Sequence, residues 1–293
     1  MLWVYFTILS ALAWTFVNLI DKYTIDKYIQ NPMISVIFIG FLGLIAAMII
    51  SQFTEILVPS TEILILSLSA GIIYVFASLF YFKAILIEEV SRVTPLYAIT
   101  PIFILILATV FLGESFAVQK YLDIFIIVIG SFLISLRRDV KFKLSRAFGL
   151  MILGTLTWAV YNIILKYALN YLTYWDAFFW TRIGSFLITP FLFYRYRKQT
   201  IEIITKRPKG GLYLAIAEPL NVVALVFSTI ALSYGFVSLV SALGQIQNFI
   251  VLIFAILISV FRPQIIKEEL KGTTILQKIL AISLISFGAV LIV

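Results

Sequence analysis

Ten long apolar stretches, separated by short polar connections, make up almost the whole chain. Each stretch is close to or above the roughly 17 to 20 apolar residues that a helix needs to cross the hydrocarbon core of a bilayer. The first lacks a basic start and a small-residue cleavage site, so we expect a membrane helix there and not a signal peptide. The pattern predicts membrane helices at residues 4–20, 33–52, 63–82, 93–112, 121–136, 148–165, 175–194, 212–232, 236–261 and 276–293.

Polar residues inside the first and sixth stretches follow the same pattern. The sequence LAWTFVNLIDKY at residues 12–23 returns as LTWAVYNIILKY at residues 156–167. Trp14, Asn18 and Lys22 are spaced four residues apart, which places them along one stripe of a helix, and the second copy has the same spacing. Further equivalent positions are Ala84, Val90, Ser91 and Val93 against Ala231, Val237, Ser238 and Val240, and Gln119, Lys120 and Gly130 against Gln277, Lys278 and Gly288.

The chain therefore divides into two homologous repeats of five helices, residues 1–137 and 147–293. Five is an odd number, so the second repeat enters the membrane with the opposite orientation to the first. Inverted repeats are typical of secondary transporters, whose substrate site lies near the membrane midplane between the halves. The predicted fold is an all-α integral membrane protein with ten transmembrane helices in two inverted five-helix repeats.

The amino-acid composition excludes several classes of protein and of functional site. The chain is 62% hydrophobic and 12% charged with a mean hydropathy of +1.10, far from the values of a soluble domain. It contains no cysteine and no histidine, which excludes disulfides, thiolate nucleophiles, Cys/His metal sites and imidazole proton relays. HExxH, GxSxG and P-loop motifs are absent from the sequence. We therefore expect no enzyme activity, cofactor or metal, and any uphill transport has to draw on an ion or substrate gradient.

The net charge of +8 indicates membrane orientation. Most lysines and arginines lie in the connections after the odd-numbered stretches, including Arg137, Arg138 and the run at residues 195–209. The positive-inside rule places these connections in the cytoplasm and both termini outside a cell membrane that the chain crosses many times. Nucleic acid is excluded as a partner, because the basic segments are short, adjoin membrane helices and lack interleaved aromatic residues.

A family resemblance is carried by residues 81–136. This segment contains the short Val90-Ser91 connection, Pro101-Ile102-Phe103, the ending Leu112-Gly113-Glu114 and a last helix with Gly130. It resembles the EamA family of the drug/metabolite transporter superfamily, and the tryptophan-bearing first helix of each half fits as well. The resemblance implies a transporter of small metabolites, often an exporter, with a cavity lined by the first, third, fourth, sixth, eighth and ninth helices. The second half departs from the pattern, because SVFRPQIIKEEL replaces the Leu-Gly-Glu ending.

Prolines within predicted helices mark candidate helix breaks near a substrate site. Each removes a backbone donor at membrane depth, and such breaks either line a cavity or are packing kinks. Thr100 aligns with Gln247 and the next residue, a proline, with Asn248, so both halves carry a polar or helix-breaking feature at the same depth. This correspondence favours the cavity. The prolines are Pro95, Pro101 and Pro219.

Aromatic and amide residues supply a candidate cavity wall. Trp14 and Trp158 lie too deep in their helices for interface anchors, and Asn18 and Asn162 follow one turn later, where an amide can bind a ligand or a neighbouring helix. Lys22 and Lys166 stand at the predicted helix ends, which favours simple extension of their ammonium groups to the interface. Weaker candidates for the same wall are Tyr74, Tyr97, Tyr161 and Gln245.

The buried carboxylate most suited to function is Glu218, in the eighth stretch. It either couples transport to protons or pairs with Arg182 and stabilises helix packing. The pair is favoured, because ionisable residues inside membranes tend to pair. An unpaired Arg182 would instead hold a substrate carboxylate or phosphate through its planar guanidinium.

These features predict a secondary transporter, an exporter or exchanger of small metabolites such as amino acids, working by alternating access. One alternative is an exchanger of phosphorylated metabolites or nucleotide sugars, which needs at least two cations facing the cavity, and only Arg182, Lys22 and Lys166 could serve. Another is an uncoupled channel or facilitator. The expected partners are the metabolite, the lipid bilayer and, as a candidate coupling ion, the proton.

Overall fold

The computed structural model describes residues 1–29, 31–87, 94–135, 146–261 and 272–292, which form helices and no strands. The all-helical prediction is confirmed for these residues. The elements are α1 (Leu2–Lys27), α2 (Pro32–Ile50), α3 (Thr61–Ile87), a 3₁₀ helix (Thr94–Ile99), α4 (Thr100–Leu112), α5 (Val118–Ser135), α6 (Arg146–Ala168), α7 (Tyr174–Leu187), α8 (Thr189–Lys206), α9 (Pro208–Tyr234), α10 (Val237–Gly244), α11 (Ile246–Phe261) and α12 (Gly272–Ile292).

Five of the described helices, α1, α2, α3, α6 and α9, are long and apolar enough to cross a membrane. Shorter apolar helical segments occur at Tyr97–Leu112, Val237–Val251 and Ile279–Leu291. Several long apolar helices in one chain characterise a multi-pass membrane protein. The arrangement as ten spans in two inverted repeats stays a prediction.

Three predicted helices are interrupted. The fourth consists of the 3₁₀ helix followed by α4, the seventh breaks at Ile188 between α7 and α8, and the ninth breaks at Gln245 between α10 and α11. At the first two breaks a proline follows in the opening turn of the next helix, where its missing N–H costs no hydrogen bond. The third break contains no proline and lies two residues before Gln247, the polar position that the sequence aligned with Thr100.

Several helices run further than predicted, and two of them extend well into predicted connections. The first extends to Lys27, so Lys22 lies within it and not at its end. The basic run beginning at Arg195 is helical as far as Lys206, where a connection was predicted. In both cases the sequence offers no glycine or proline to end the helix until Pro32 and Pro208.

The predicted break at Pro219 is wrong. Helix α9 continues through this proline, whose side chain is exposed on the outer face of the helix. Loss of one backbone bond is tolerated there, because α9 packs along α1 over an extensive contact. Proline alone therefore does not locate an interruption in this chain.

Helices from the two halves of the chain pack against each other in pairs. The most extensive contacts are between α1 and α9, between α3 and α6, and between α5 and α12. Helices α3 and α7 approach so closely that a Cβ on Gly71 would overlap the Thr181 carbonyl oxygen, and one on Gly184 would overlap the Leu68 carbonyl oxygen. Small residues at helix contacts allow such close backbone approach in membranes.

Candidate functional site

A central cavity of about 210 Å³ lies between the two halves. Its wall is built mainly from α1, α3, α6 and α9, and the 3₁₀ helix, α4, α10 and α11 complete it, with Ile39 of α2 as a single further contact. These elements correspond to the six helices that the family resemblance implied for a cavity. The interruptions before Thr100 and at Gln245 both open onto it, so the breaks lie beside the cavity and not in the outer packing.

Most of the predicted site residues are brought together in this wall, which includes Trp14, Asn18, Tyr74, Tyr97, Thr100, Trp158, Asn162, Glu218, Gln245, Gln247 and Asn248. The residues that do not line it are Tyr161, Arg182, Pro101 and Pro219. The side chains of Lys22 and Pro95 lie outside the part of the structure that is described. A role in substrate binding stays a prediction for every one of these residues.

Aromatic rings form a continuous cluster on one side of the cavity. The duplicated tryptophans, Trp14 and Trp158, meet edge to face with ring centroids 5.7 Å apart. Trp158 also contacts Tyr74 at 5.7 Å and Tyr161 at 5.2 Å. Tyr161 is fully buried behind Tyr74, at 5.5 Å, and supports the cluster from outside the wall. Aromatic pairs at these distances stabilise one another beyond their buried area and fix the shape of the wall.

Asn221 joins three of the wall residues by hydrogen bonds. Its side-chain oxygen accepts from Trp14 Nε1 at 3.1 Å. Its side-chain nitrogen donates to the Tyr74 hydroxyl at 3.0 Å and to Glu218 Oε2 at 3.1 Å. Asn221 was not among the predicted site residues. The available signal was the i,i+3 spacing of the two residues, which places them on one face of α9.

The favoured pairing of Glu218 with Arg182 is wrong in this structure. Among the described residues the two make no ion pair within 4.0 Å, and Glu218 bonds Asn221 instead. The Arg182 guanidinium stacks on the Tyr74 ring, 4.3 Å from its centroid, and lies 5.6 Å from the Phe178 ring. Arg182 is only 1% exposed, and its Nε and Nη2 atoms have no hydrogen-bond partner in the described chain. The cation is held by aromatic faces behind the wall.

Asp21 is a cavity residue that sequence reasoning missed. It is 6% exposed, lines the cavity and accepts no hydrogen bond from the described residues. Glu218 lines the same cavity, so the two carboxyl groups face a common space. The signal was present in the repeat itself, because Asp21 is the acidic residue of LIDKY where the second copy, IILKY, has the buried Leu165.

The other polar wall residues are partly engaged. Asn162 donates to the Trp158 carbonyl of its own helix at 2.8 Å, which leaves its side-chain oxygen for another partner. Asn248 donates to Gln245 Oε1 at 3.0 Å, across the break between α10 and α11. Asn18 makes no hydrogen bond with any described residue and is half-buried. Amide groups are therefore available to a polar ligand from both halves of the chain.

Lys166 does not simply extend to the interface, which corrects its predicted role. Its ammonium donates to the carbonyls of Leu232 at 2.7 Å and Gly235 at 2.8 Å, at the C-terminus of α9. Glu114 of the Leu-Gly-Glu ending accepts from the backbone amides of Val237 at 2.7 Å and Ser238 at 3.2 Å, at the start of α10. Each charge complements the adjacent helix terminus. The connection between α9 and α10 is thus held from both sides.

Comparison with known proteins supports the fold and the resemblance. Residues 1–136 match the model of the EamA-like transporter family, part of the drug/metabolite transporter superfamily, which confirms the resemblance over that half. An uncharacterized protein of Methanocaldococcus jannaschii is 28% identical over 108 residues, 36% of this chain and 79% of the relative. A solved crystal structure superposes with a TM-score of 0.70 over 99% of this chain and 95% of the other, at 13% identity, and shows the fold alone.

Proposed function

We propose, from the premise that its first 136 residues match the EamA-like transporter family, that this membrane protein is a secondary transporter of small metabolites. It works as an exporter or exchanger by alternating access. One observation carries the proposal: otherwise apolar helices from both halves surround one cavity whose wall is rich in polar and aromatic side chains. Placing polar side chains inside a membrane is energetically unfavourable. A cluster of them around one cavity is therefore a candidate substrate site.

The alternating-access mechanism rests on two inverted repeats, residues 1–137 and 147–293. Contacts between equivalent positions support this. In the register that aligns Ala84 with Ala231, Tyr74 is equivalent to Asn221, and the two hydrogen-bond each other. Equivalent tryptophans also touch.

The fifth helices of the two halves also contact each other through equivalent residues. A Cβ on Gly130 would lie 3.0 Å from the Ala281 carbonyl oxygen, and a Cβ on the equivalent Gly288 would lie 3.2 Å from the carbonyl oxygen of Asp123, which is equivalent to Ala281. Reciprocal contacts of this kind are expected around a pseudo-twofold axis. Rocking about that axis exposes the cavity first to one side of the membrane and then to the other.

The helix interruptions support movement at the cavity. The 3₁₀ helix gives way to α4 at Thr100, and α10 gives way to α11 at Gln245, close to the equivalent position. Discontinuous helices beside a midplane site are the usual substrate-binding element of such transporters. In this proposal the two breaks change angle as the cavity opens.

The proposed substrates are small metabolites such as amino acids. The wall carries two carboxyl groups and several amides, and no lysine or arginine lines the cavity among the residues described. The exchanger of phosphorylated metabolites is less well supported by the described residues, because Lys166 is engaged by backbone carbonyls and Arg182 lies behind Tyr74. The side chain of Lys22, the third candidate cation, lies outside the described part of the structure. Protons are the candidate coupling ion through Glu218. The proposed location is the cell membrane, with basic connections in the cytoplasm and both termini outside.

The test is counterflow of labelled amino acids in proteoliposomes that contain the purified protein, with and without a proton gradient. Saturable exchange is expected, and it is expected to be lost in Trp158→Ala and Asn162→Leu, which change the wall. Trp175→Ala is the matched control, because Trp175 lies at the start of α7 and away from the cavity. Flux that does not saturate would indicate a channel, and wild-type exchange in both wall variants would contradict the proposed site.

A further inference from the structure

The cavity has an acidic side. Asp21 on α1 and Glu218 on α9 both line it, and these two helices pack along each other. Asp21 accepts no hydrogen bond from the described residues, and Glu218 accepts one, from the neutral amide of Asn221. Two carboxyl groups therefore face the same space, and neither makes an ion pair within 4.0 Å with a described residue.

Buried carboxyl groups need a neutralising charge. Carboxylates inside a membrane protein pair with a cation, bind protons or contact water, because an unpaired buried charge is strongly unfavourable. The Arg182 cation does not line the cavity: it is 1% exposed and stacks on the Tyr74 ring, which does line it. Among the described residues none places a positive charge between the two carboxyl groups, so that charge comes from a proton or from a ligand cation.

The rest of the wall accommodates the body of such a ligand. Trp14, Tyr74, Tyr97 and Trp158 line the same cavity as the two carboxyl groups. Aromatic faces attract cations through their ring quadrupole and also bind apolar or aromatic groups by area. The cavity volume of about 210 Å³ is below the roughly 300–1,000 Å³ of pockets that hold drug-sized ligands. The ligand that fits is a small one.

We infer that the cavity binds a small organic amine as its cation, with the ammonium group between Asp21 and Glu218 and an apolar or aromatic body against the rings. This rests on the proposed transport function and narrows its substrate class. The described wall offers no cation for a substrate carboxylate, so the carboxylate of an amino acid gains no ion pair there and loses hydration. An amine binds more tightly than the amino acid with the same body, and the corresponding carboxylic acid does not bind.

The test is equilibrium binding of three indole compounds to the purified full-length protein in detergent, since neutral amines cross bilayers unaided. The compounds are tryptamine, tryptophan and indole-3-propionate, which share the aromatic body and differ in charged groups. Tryptamine is expected to bind at least about tenfold more tightly than tryptophan, and indole-3-propionate is expected not to compete. Tighter binding of tryptophan or of the acid would overturn the inference.

Variants locate the ammonium group. Asp21→Asn and Glu218→Gln are each expected to weaken tryptamine binding by about tenfold or more. The matched control is Glu62→Gln, an exposed carboxyl group in the first turn of α3. Where a neutral variant does not fold, Glu218→Asp keeps the charge and is expected to retain binding within about threefold. Unchanged affinity in folded Asp21→Asn and Glu218→Gln would overturn the inference.

The same proteins in counterflow separate the inference from the proposed function. Saturable exchange of amino acids without tryptamine binding would support the proposed transport function and would contradict the inferred amine site. Absence of any exchange and any binding by correctly folded protein overturns both.

Discussion

The helix pairs α1–α9 and α3–α6 are built from equivalent segments of the two halves, yet they give the cavity different chemistry. The first pair contributes Asp21 and Glu218, whereas the equivalent positions on the second pair hold Leu165 and Gly71. The equivalent pair Asn221 and Tyr74 join the two sides by a hydrogen bond. In the proposed site the duplicated residues set the geometry, and the positions where the two copies differ set what the cavity is proposed to bind.

The equivalent positions Gly71 and Glu218 also explain why α3 packs more extensively on α7 than α9 packs on α2. At Gly71 the absence of a side chain lets α3 touch the backbone of α7, and α3 packs more extensively on α7 than α9 packs on α2. At the equivalent position of α9 the Glu218 side chain turns into the cavity and bonds Asn221. Gly71 therefore allows close helix packing, whereas the equivalent Glu218 contributes a carboxyl group to the cavity wall.

The largest expected effect comes from filling the α3–α7 contact. Gly71→Leu and Gly184→Leu place a side chain where backbone already lies, so each is expected to prevent folding or to destabilise by more than about 3 kcal/mol. Yield and gel-filtration profile in detergent measure this. Gly149→Leu is the control, because a Cβ there meets nothing within 4 Å. Monodisperse Gly71→Leu protein would show that the contact is not needed.

Removing the Asn221 side chain tests the hydrogen bonds that connect α9 with α1 and α3. Asn221→Leu leaves the Trp14 indole N–H, the Tyr74 hydroxyl and the Glu218 carboxyl without this partner, at about 2–4 kcal/mol in total. Tyr74→Phe removes one of these bonds and is expected to cost about 1 kcal/mol. The midpoints of thermal unfolding in detergent measure this difference, and Asn221→Leu is expected to have the lower midpoint. Equal midpoints for the two variants would contradict the central role of Asn221.

The α9–α10 connection is expected to respond moderately to loss of Lys166. Lys166→Met retains most of the buried stem but leaves the carbonyls of Leu232 and Gly235 without their donor, at about 1.5–3 kcal/mol. The control is Lys206→Met, whose ammonium is on an exposed side chain. Thermal unfolding of both variants is the measurement, and equal midpoints would indicate that the ammonium reaches the interface instead.

The smallest effect is expected at Arg182. Arg182→Met removes a buried cation that stacks on Tyr74 without an ion pair, so stability should change by less than about 1 kcal/mol or increase. If Arg182 were the partner of Glu218, its removal would leave a buried charge alone and cost about 3–5 kcal/mol. The free energy of unfolding in detergent separates the two cases.

The sequence predicted the helices and much of the cavity wall, because apolar length and internal repetition are local signals. The duplicated Trp14 and Trp158 were placed at the cavity from their depth alone, and the structure has them there. Their depth in the helix and the repeat pattern carried the information. Neither depends on how the helices are rotated.

The contacts of single side chains could not be predicted in the same way. In helices that are apolar all round, the sequence does not show which face meets protein and which meets lipid, so Arg182 was expected to meet Glu218 and instead faces Tyr74. Pro219 lies on the outer face for the same reason. Asp21 differs from this pattern, because it is visible in the sequence as an acidic residue where the second copy has Leu165.

The most direct test of the central claim, a cavity between two halves that opens alternately to each side, is thiol labelling of Ser241→Cys. The chain has no cysteine of its own, and Ser241 lines the cavity on α10. Ser283→Cys, exposed on α12 away from the cavity, is the control and is expected not to react with a charged reagent in the bilayer. We expect the Ser241→Cys thiol in proteoliposomes to react with a membrane-impermeant reagent added to either side, and more slowly when the cavity is occupied. Reaction from one side only, whether ligand is present or absent, would contradict the account.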